Sequence, residues 1–530
     1  MAFSSQSLKQ AVADVPARYK CPGGAVAVLK DGKVVETHTW GFADLEEKAP
    51  MTPGTLLPIC SISKQMLCAT ILGRAQSEPD FLDRMQKELE ALLPDMTKNG
   101  NLTVHHLWNM QSGIRDYWAL TVLWGAKVGQ KFSIKGDGPQ AMARLGKLHF
   151  EPGSEYSYSN VNFYILERCL EKVSGSTFQQ LSKEHLFQPA GMHTAAVRPD
   201  TAKFPSPIVG YEGTPELGFY PAPNAIEWSG DAGIVASLND MIAYEQWLER
   251  NYADSSSVYR AMIKPQEFSN GKPAPYGHGL ARTDADGVVA YRHGGALRGF
   301  DLQRLHVPQQ NLSVVVLRNM TGKDSSAAAD YIVSKALSVE ETSRPVVEAA
   351  SGWNNTFLDD DTHLKIEISL GEPGKLKLVY AGIYPETITL TSPTEAESPG
   401  TVARLVGEKL IVDRVHENRR LSATLIPTCT SGVAEKGLSG VYHCQDVDST
   451  LRITGENGML YGSFEGFLGH GSAHLLRHIG ESVWAIYCPR ALDASPPGDW
   501  TLVLRRDSTG VVKELIVGCW LARNLEYKRQ

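Results

Sequence analysis

The stretch Ser61-Ile62-Ser63-Lys64 opens an apolar run that continues with helical spacing to about Ala75. Positions three apart on a helix share one face, so the Ser61 hydroxyl and the Lys64 ammonium can meet. A serine becomes a nucleophile only beside a base or a cation. A helix that starts at Ser61 would also turn its N–H groups and its positive end towards an oxyanion. The pattern allows a catalytic serine, but taken alone an ordinary N-cap serine explains the same residues better.

A second string, Tyr156-Ser157-Tyr158-Ser159-Asn160, follows the turn Phe150-Glu151-Pro152-Gly153. A phenol beside an ammonium group can be held as a phenolate or can share a proton, which makes Tyr158 a candidate general base. The Asn160 amide is suited to orient a lysine or a substrate carbonyl. The structural alternative is a Ser- and Tyr-rich turn that leads into a helix capped by Asn160.

The third string is Arg292-His293-Gly294-Gly295-Ala296. Glycines at 294 and 295 allow a substrate to approach a strand edge closely, and the backbone N–H that follows can complete an oxyanion hole. The alternative is a turn at the end of a strand with one solvated histidine.

The first part of the chain predicts one layered domain. Ala25–Leu29 and Lys33–Thr39 read as strands joined by the hairpin signal Asp31-Gly32, and strand patterns return between Val289 and Leu317. Helical patterns lie between them. We therefore expect an α/β or α+β domain whose sheet is built from both of its ends and is covered by helices.

Beyond Thr342 the sequence changes to short alternating runs without helices, which predict antiparallel sandwiches or barrels. The strings Ser351-Gly352 and Ser439-Gly440 begin two such series and suggest an internal repeat. We expect domains at 1–342, 343–433 and 434–530.

Composition excludes several classes of protein. The 530 residues are 42% apolar and 21% charged, which argues against disorder and coiled coil, and 52 basic against 59 acidic residues give a net charge of −7. No basic stripe and no membrane-length apolar run is present, so we expect no nucleic-acid or membrane partner. The N-terminus lacks the features of a secretory signal, which favours a cytoplasmic protein, with a removed leader as the open alternative.

The remaining motifs indicate neither a metal nor a cofactor. The eight cysteines form no C-x-x-C pair and read as free, mostly buried thiols. No H-E-x-x-H, G-x-G-x-x-G or G-x-S-x-G pattern occurs, and the adjacent His105 and His106 would face apart on a helix.

Taken together, the three strings occur in the order S-x-x-K, Y-x-N and H-G-G. This arrangement resembles the serine β-lactamase and penicillin-binding protein superfamily in its class C and D-peptidase branch. Within it, the H-G-G string, the length and the two C-terminal β modules resemble the D-aminopeptidase family. The resemblance implies a β-lactamase-like catalytic domain followed by two antiparallel β-barrel domains, without a cofactor. It also implies a loop from the last barrel that enters the active site, for which Pro489–Asp499 is the candidate.

The resemblance also implies residue roles. Ser61 would be the nucleophile, Lys64 and Tyr158 the acid/base pair, and Asn160 and His293 supporting groups. The N–H groups of Ser61 and Ala296 would form the oxyanion hole.

A neutral His293, where most relatives carry a lysine, favours an aminopeptidase, amidase or esterase over a β-lactamase, because it offers no permanent cation to a substrate carboxylate. Gly294 and Gly295 would line the substrate. Asp493 or Asp499 could meet a substrate ammonium, although turn formation explains both.

We expect a small peptide, amide or ester substrate. The sequence leaves the assembly open, with a homodimer as one candidate. The alternatives are a β-lactamase-like esterase or acyltransferase, and a binding protein that retains the fold without catalysis.

Overall fold

The computed structural model describes residues 3–98, 101–285, 287–338, 345–427, 437–456, 459–487 and 490–530. The expected domain boundaries at 342/343 and 433/434 lie outside these residues, as do Cys429, Cys488 and Pro489. The limits 1–342, 343–433 and 434–530 therefore remain our proposal. The six described cysteines are free thiols, and all except Cys21 are buried.

The first domain is built on an antiparallel sheet of eight strands. In sheet order they are Tyr276–Gly277, Leu280–Ala285, Val288–Leu297, Phe300–Val307, Leu312–Arg318, Gly23–Lys30, Lys33–Asp44 and Ala49–Pro50. The predicted hairpin is confirmed, because Lys30 pairs with Lys33 and both Asp31 and Gly32 have positive φ. The sheet is built from both ends of the domain, as the sequence predicted.

The central strands are buried on both faces. In Gly23–Lys30, Val26 and Val28 pack against the helices Ser5–Arg18 and Asp324–Ala336, whereas Ala25 and Ala27 face the larger core on the other side. A two-residue period divides the strand between two cores. Double burial also explains the continuous apolar run of Leu312–Arg318.

A mainly helical region covers the second face. Besides the two helices already named, the α-helices are Ser63–Ser77, Phe81–Leu92, Pro94–Thr97, Val104–Trp108, Tyr117–Leu123, Asp137–Met142, Val161–Ser174, Phe178–Ser182, Gln188–Ala190, Leu238–Ala253 and Val258–Met262. Short 3₁₀ turns lie at Cys60–Ile62, Thr201–Lys203, Pro308–Gln310 and Val415–Glu417, and a π turn at Lys183–Phe187. The small strands are Leu57–Pro58, Ala196–Val197, Ile234–Ala236, Tyr211–Thr214, Gly218–Pro221, Gln266–Glu267 and Pro273–Ala274.

Two closed antiparallel barrels of eight strands follow. The first comprises Thr356–Asp359, Lys365–Leu370, Lys375–Tyr380, Ile383–Ser392, Glu395–Ser398, Thr401–Val406, Lys409–Arg414 and Arg419–Leu425. The second comprises Gly440–Cys444, Ser449–Glu456, Met459–Gly466, His474–Gly480, Val483–Ile486, Trp500–Arg506, Val512–Cys519 and Ala522–Arg529, with the short strand Gly469–His470 beside it.

The two barrels differ in how they pack. The first barrel has a core of its own around Trp353, whereas the core of the second barrel is continuous with that of the first domain. At that junction the Trp124 indole donates to the Val447 carbonyl at 2.8 Å, and the Ser449 hydroxyl donates to the Leu123 carbonyl at 2.5 Å. Contacts from the second barrel therefore reach the helical region that holds the candidate site.

Candidate active site

Ser61 lies in the 3₁₀ turn Cys60–Ile62, and the α-helix begins at Ser63. The expected helix start at Ser61 is thus wrong by two residues. Cys60, fully buried, has a φ of 51°, in the left-handed region that residues with a Cβ disfavour. This strained residue turns the chain between the preceding strand and the helix, directly before the serine.

Lys64 is the centre of the site. Its Nζ donates to Ser61 Oγ at 3.0 Å, to Asn160 Oδ1 at 2.8 Å and to the Asp231 carbonyl at 2.8 Å. Burial lowers the pKa of Lys64 to about 8, while Asp231 and Asp116 oppose the shift. With that pKa, roughly a tenth of the molecules carry a neutral Lys64 amine at pH 7.

Tyr158 and Asn160 lie just before the helix Val161–Ser174, in a segment without regular structure. The Lys64 ammonium is 5.0 Å from the centre of the half-buried Tyr158 ring. Asn160 stands at the N-cap position, but its side chain does not cap the helix. It accepts from Lys64 instead, so the capping alternative is wrong.

Asp116, which the sequence analysis did not single out, holds Asn160 from the other side. One oxygen of its carboxylate accepts from the Asn160 backbone N–H at 2.6 Å and from Asn160 Nδ2 at 3.0 Å. Burial raises the pKa of Asp116 to about 6. No motif in the sequence marks this aspartate.

Asp231 was also missed, and nothing in the sequence distinguishes it. Its fully buried carboxylate accepts from the Tyr117 hydroxyl at 3.1 Å and from the Trp118 indole at 3.0 Å. These bonds fix the residue whose backbone carbonyl accepts from Lys64.

His293 lies inside the strand Val288–Leu297 and is 8% exposed, so the alternative of a solvated turn histidine is wrong. Its Nδ1 lies 2.6 Å from the Gly294 carbonyl and must carry the hydrogen, because a carbonyl only accepts. Its Nε2 therefore accepts from the hydroxyl of Tyr276, a third missed residue, at 2.9 Å. Burial, helped by Lys64, lowers the pKa of His293 to about 3, and the ring is neutral at pH 7.

Gly295 allows the strand to approach the turn that carries Ser61. A Cβ at Gly295 would lie 2.4 Å from the Ile59 carbonyl oxygen, closer than any side chain tolerates. The next residue, Ala296, follows directly on this contact. The neighbouring strand Leu280–Ala285 pairs no further than Arg292. Among the described residues, no strand pairs with that edge at 293–297.

The loop between Val483–Ile486 and Trp500–Arg506 contacts both other domains. The fully buried Asp493 accepts from the Ala225 backbone N–H at 2.8 Å, and its second oxygen is 3.6 Å from Arg298. Burial raises the pKa of Asp493. Asp499 instead pairs with Lys365 of the first barrel at 2.8 Å. Of the two aspartates, Asp493 is the one on the side of the catalytic domain.

Within the described ranges, no group of three or more His, Cys, Asp or Glu residues could hold a metal ion. A search of the same ranges finds no helix long and apolar enough to cross a membrane.

The sheet and the helical region are those of a serine hydrolase of the β-lactamase type, and the arrangement of Ser61, Lys64 and Tyr158 is compatible with that chemistry. A β-lactamase family model matches residues 8–337, and the model for domain B of D-aminopeptidase matches residues 346–528. The chain is 43% identical over 527 residues to a D-aminopeptidase of Brucella anthropi, with 99% of both chains covered. It is 41% identical to a D-aminopeptidase of Brucella canis, with 99% of this chain and 98% of the relative covered. This chain belongs to the D-aminopeptidase family.

Solved structures agree on the fold. The octameric penicillin-binding protein homologue from Pyrococcus abyssi superposes with a TM-score of 0.53 at 20% identity, covering 79% of this chain and 99% of its own.

Proposed function

We propose that this protein is a D-stereospecific aminopeptidase and amidase that releases N-terminal D-amino acids from peptides or amides. The observation that carries the proposal is the Lys64–Ser61 contact of 3.0 Å, in a chain matched along 99% of its length by D-aminopeptidases.

Ser61 Oγ attacks the carbonyl carbon of the scissile amide as Lys64 and Tyr158 remove its proton. The C–O bond forms, the C–N bond breaks, and the same pair delivers the proton to the leaving amine. Asn160, held by Asp116, keeps the Lys64 amine directed at the serine. Water then attacks the acyl-enzyme, and the acid is released with Ser61 restored.

The N–H groups of Ser61 and Ala296 stabilise the oxyanion in both steps. The close approach at Gly295 supports this assignment, because it brings the strand against the serine turn. Gly294 and Gly295 line the substrate, and the neutral His293, tied to Tyr276, supports the strand without presenting a cation.

Asp493 is our candidate for the substrate ammonium. Its buried position between Ala225 and Arg298 supports a fixed carboxylate at the catalytic domain. The Pro489–Asp499 loop would limit the space available to the substrate beyond its amino group. This also favours an aminopeptidase over the alternative of an esterase or acyltransferase with a wide acyl pocket.

The homodimer and the cytoplasmic location stay proposals, which analytical ultracentrifugation and cell fractionation can check.

The proposal is tested with the p-nitroanilides of D-Ala and L-Ala, p-nitrophenyl acetate and nitrocefin. We expect kcat/KM for the D-anilide to exceed that of the L-anilide by at least about 100-fold, since a pocket that misplaces the wrong isomer loses rate steeply. Nitrocefin turnover should be negligible. Equal rates on both anilides with rapid ester hydrolysis would favour the esterase alternative.

The pH dependence of kcat/KM should report on Lys64. Because the neutral amine is the base, activity rises with pH to a plateau, with an apparent pKa of about 8. Asp116→Asn removes a negative charge that raises the pKa of Lys64. The pKa of Lys64 should therefore fall further, and the rise in kcat/KM should move to lower pH. Asp200→Asn, which alters an aspartate that caps the turn Thr201–Lys203, is the matched control. A profile that is flat between pH 6 and 9 contradicts the assignment.

Shortening the loop should relax the size limit. Replacing residues 491–497 with two glycines keeps Gly498 and Asp499, which pack on the first barrel. We expect kcat/KM for longer peptides to rise about tenfold relative to D-Ala p-nitroanilide. Active-site titration of Ser61 serves as the folding control. An unchanged profile of substrate length in a variant that titrates normally would leave the loop without this role.

A further inference from the structure

The residues that carry Tyr158 and Asn160 belong to a segment, 151–160, that contains no helix and no strand. Apart from the turn bond between the Ser154 N–H and the Glu151 carbonyl, partners outside the segment fix its course. The second half is held inside the catalytic domain: the Ser157 backbone N–H donates to the Met110 carbonyl at 3.0 Å, and Asn160 is held by Asp116.

Part of the first half is held by the first barrel. Asn418 Nδ2 donates to the Ser154 carbonyl at 2.8 Å, and the Tyr156 backbone N–H donates to the Glu417 carbonyl at 3.2 Å. Ser154 and Tyr156 therefore take backbone partners from the first barrel, between Gly153 and Ser157, which bond within the first domain.

Glu155, between these two contacts, joins all three domains. Arg419 Nη1 of the first barrel donates to both of its carboxylate oxygens, at 2.9 and 2.8 Å, and Arg523 Nη1 of the second barrel donates at 2.7 Å. The side chains of Arg419 and Arg523 are only 7% and 1% exposed. Hydrogen bonds between ionised partners in such an environment are the strong ones.

The surrounding charges leave Glu155 as the shared partner. Arg115 is paired with Asp446 at 2.8 Å, and the Arg419 guanidinium also contacts the exposed Asp361. His149 is buried nearby, and burial together with the arginines keeps its pKa well below the usual range, so it adds no charge. Among the described residues, Glu155 is the one carboxylate that meets both Arg419 and Arg523.

We propose that Glu155 is a positioning residue, through which the two barrels together hold Tyr158 at its catalytic distance from Lys64 and Ser61. The proposal rests on the acyl-enzyme mechanism above. Without the carboxylate, two buried guanidinium groups lose their common partner and the irregular segment relaxes, which moves Tyr158 away from the Lys64 amine.

Glu155→Gln tests the proposal in the full chain, because it keeps the shape of the side chain and removes its charge. With p-nitrophenyl acetate, we expect kcat to fall about 10- to 100-fold while KM changes less than about threefold. The rise of kcat/KM near pH 8 should also shift, since the environment of Lys64 includes the Tyr158 ring. A purely structural role would leave that pH profile unchanged in the folded protein.

Two further variants keep the test decisive. Arg523→Lys preserves the charge but loses the guanidinium geometry, and it should give a smaller fall in the same direction if Glu155→Gln does not fold. Glu514→Gln breaks a pair with Arg505 at 3.0 Å, on the second barrel, and should leave kcat unchanged. A folded Glu155→Gln or Arg523→Lys enzyme with wild-type kcat and pH profile overturns the proposal. Because the ester assay needs no D-amino acid, inactivity on D-alanyl substrates would count against the proposed specificity alone.

Discussion

Replacing Ser61 with alanine is expected to lower kcat by about 10⁵- to 10⁶-fold, because the acyl-enzyme cannot form without the hydroxyl. In the wild type, phenylmethylsulfonyl fluoride should add its sulfonyl mass to the peptide that contains Ser61. The Ser61→Ala protein should remain unlabelled and fold normally, since Ser61 is only partly buried and alanine fits its turn. Peptide mass spectrometry and the hydrolysis rate together check this result.

Ser159→Ala is the matched control for Ser61→Ala. Ser159 lies between Tyr158 and Asn160, it is fully buried, and its hydroxyl has no hydrogen-bond partner among the described residues. Removing that hydroxyl should change kcat less than about threefold and should not lower stability. Labelling at another serine, with Ser61→Ala still active, would overturn the assignment.

Lys64→Met should lower kcat/KM by about 10²- to 10⁴-fold, the range that a positioned general base supplies. Methionine has nearly the volume of the buried lysine stem and removes a charge whose burial is unfavourable, so the melting temperature should hold within a few degrees. The plot of kcat/KM against pH should also lose its rise near pH 8. Steady-state kinetics and thermal unfolding of the same preparation measure both effects.

Two comparisons separate the base from a fixed charge. Lys64→Arg keeps the cation but cannot give up its proton near neutral pH, so it should be as impaired as Lys64→Met. Gln65→Met alters the next, equally buried residue of the helix, whose side chain accepts from Tyr244, and should keep most activity. Retention of more than a tenth of wild-type activity by Lys64→Arg would mean that Lys64 acts through its charge.

The sequence predicted those parts of the fold whose signals are local. The Asp31-Gly32 hairpin, the apolar run of Leu312–Arg318 and most barrel strands follow from turn chemistry and a two-residue period. The helix start moved from Ser61 to Ser63 because the strained turn at Cys60 leaves no mark in the sequence.

The residues of the candidate site also fall into two groups, those that a local motif predicts and those that it does not. Ser61, Lys64, Tyr158, Asn160 and His293 stand in short recognisable strings, and the structure brings them together around the Lys64 ammonium and the Tyr158 ring.

The missed groups have no such strings. Asp116, Asp231 and Tyr276 act on the motif residues across long sequence separations, through contacts that only the folded chain creates. A hydrogen bond between distant segments has no sequence period to reveal it.

The continuous core shared by the catalytic domain and the second barrel has a consequence for how this chain is made. The residues around Trp124 need partners such as Val447 and Phe464, which follow them by more than 300 positions. A nascent catalytic domain therefore leaves the ribosome with apolar surface still uncovered, while the first barrel can close around its own core as soon as it has emerged. The catalytic domain, although it is synthesised first, can finish folding only after the second barrel has emerged.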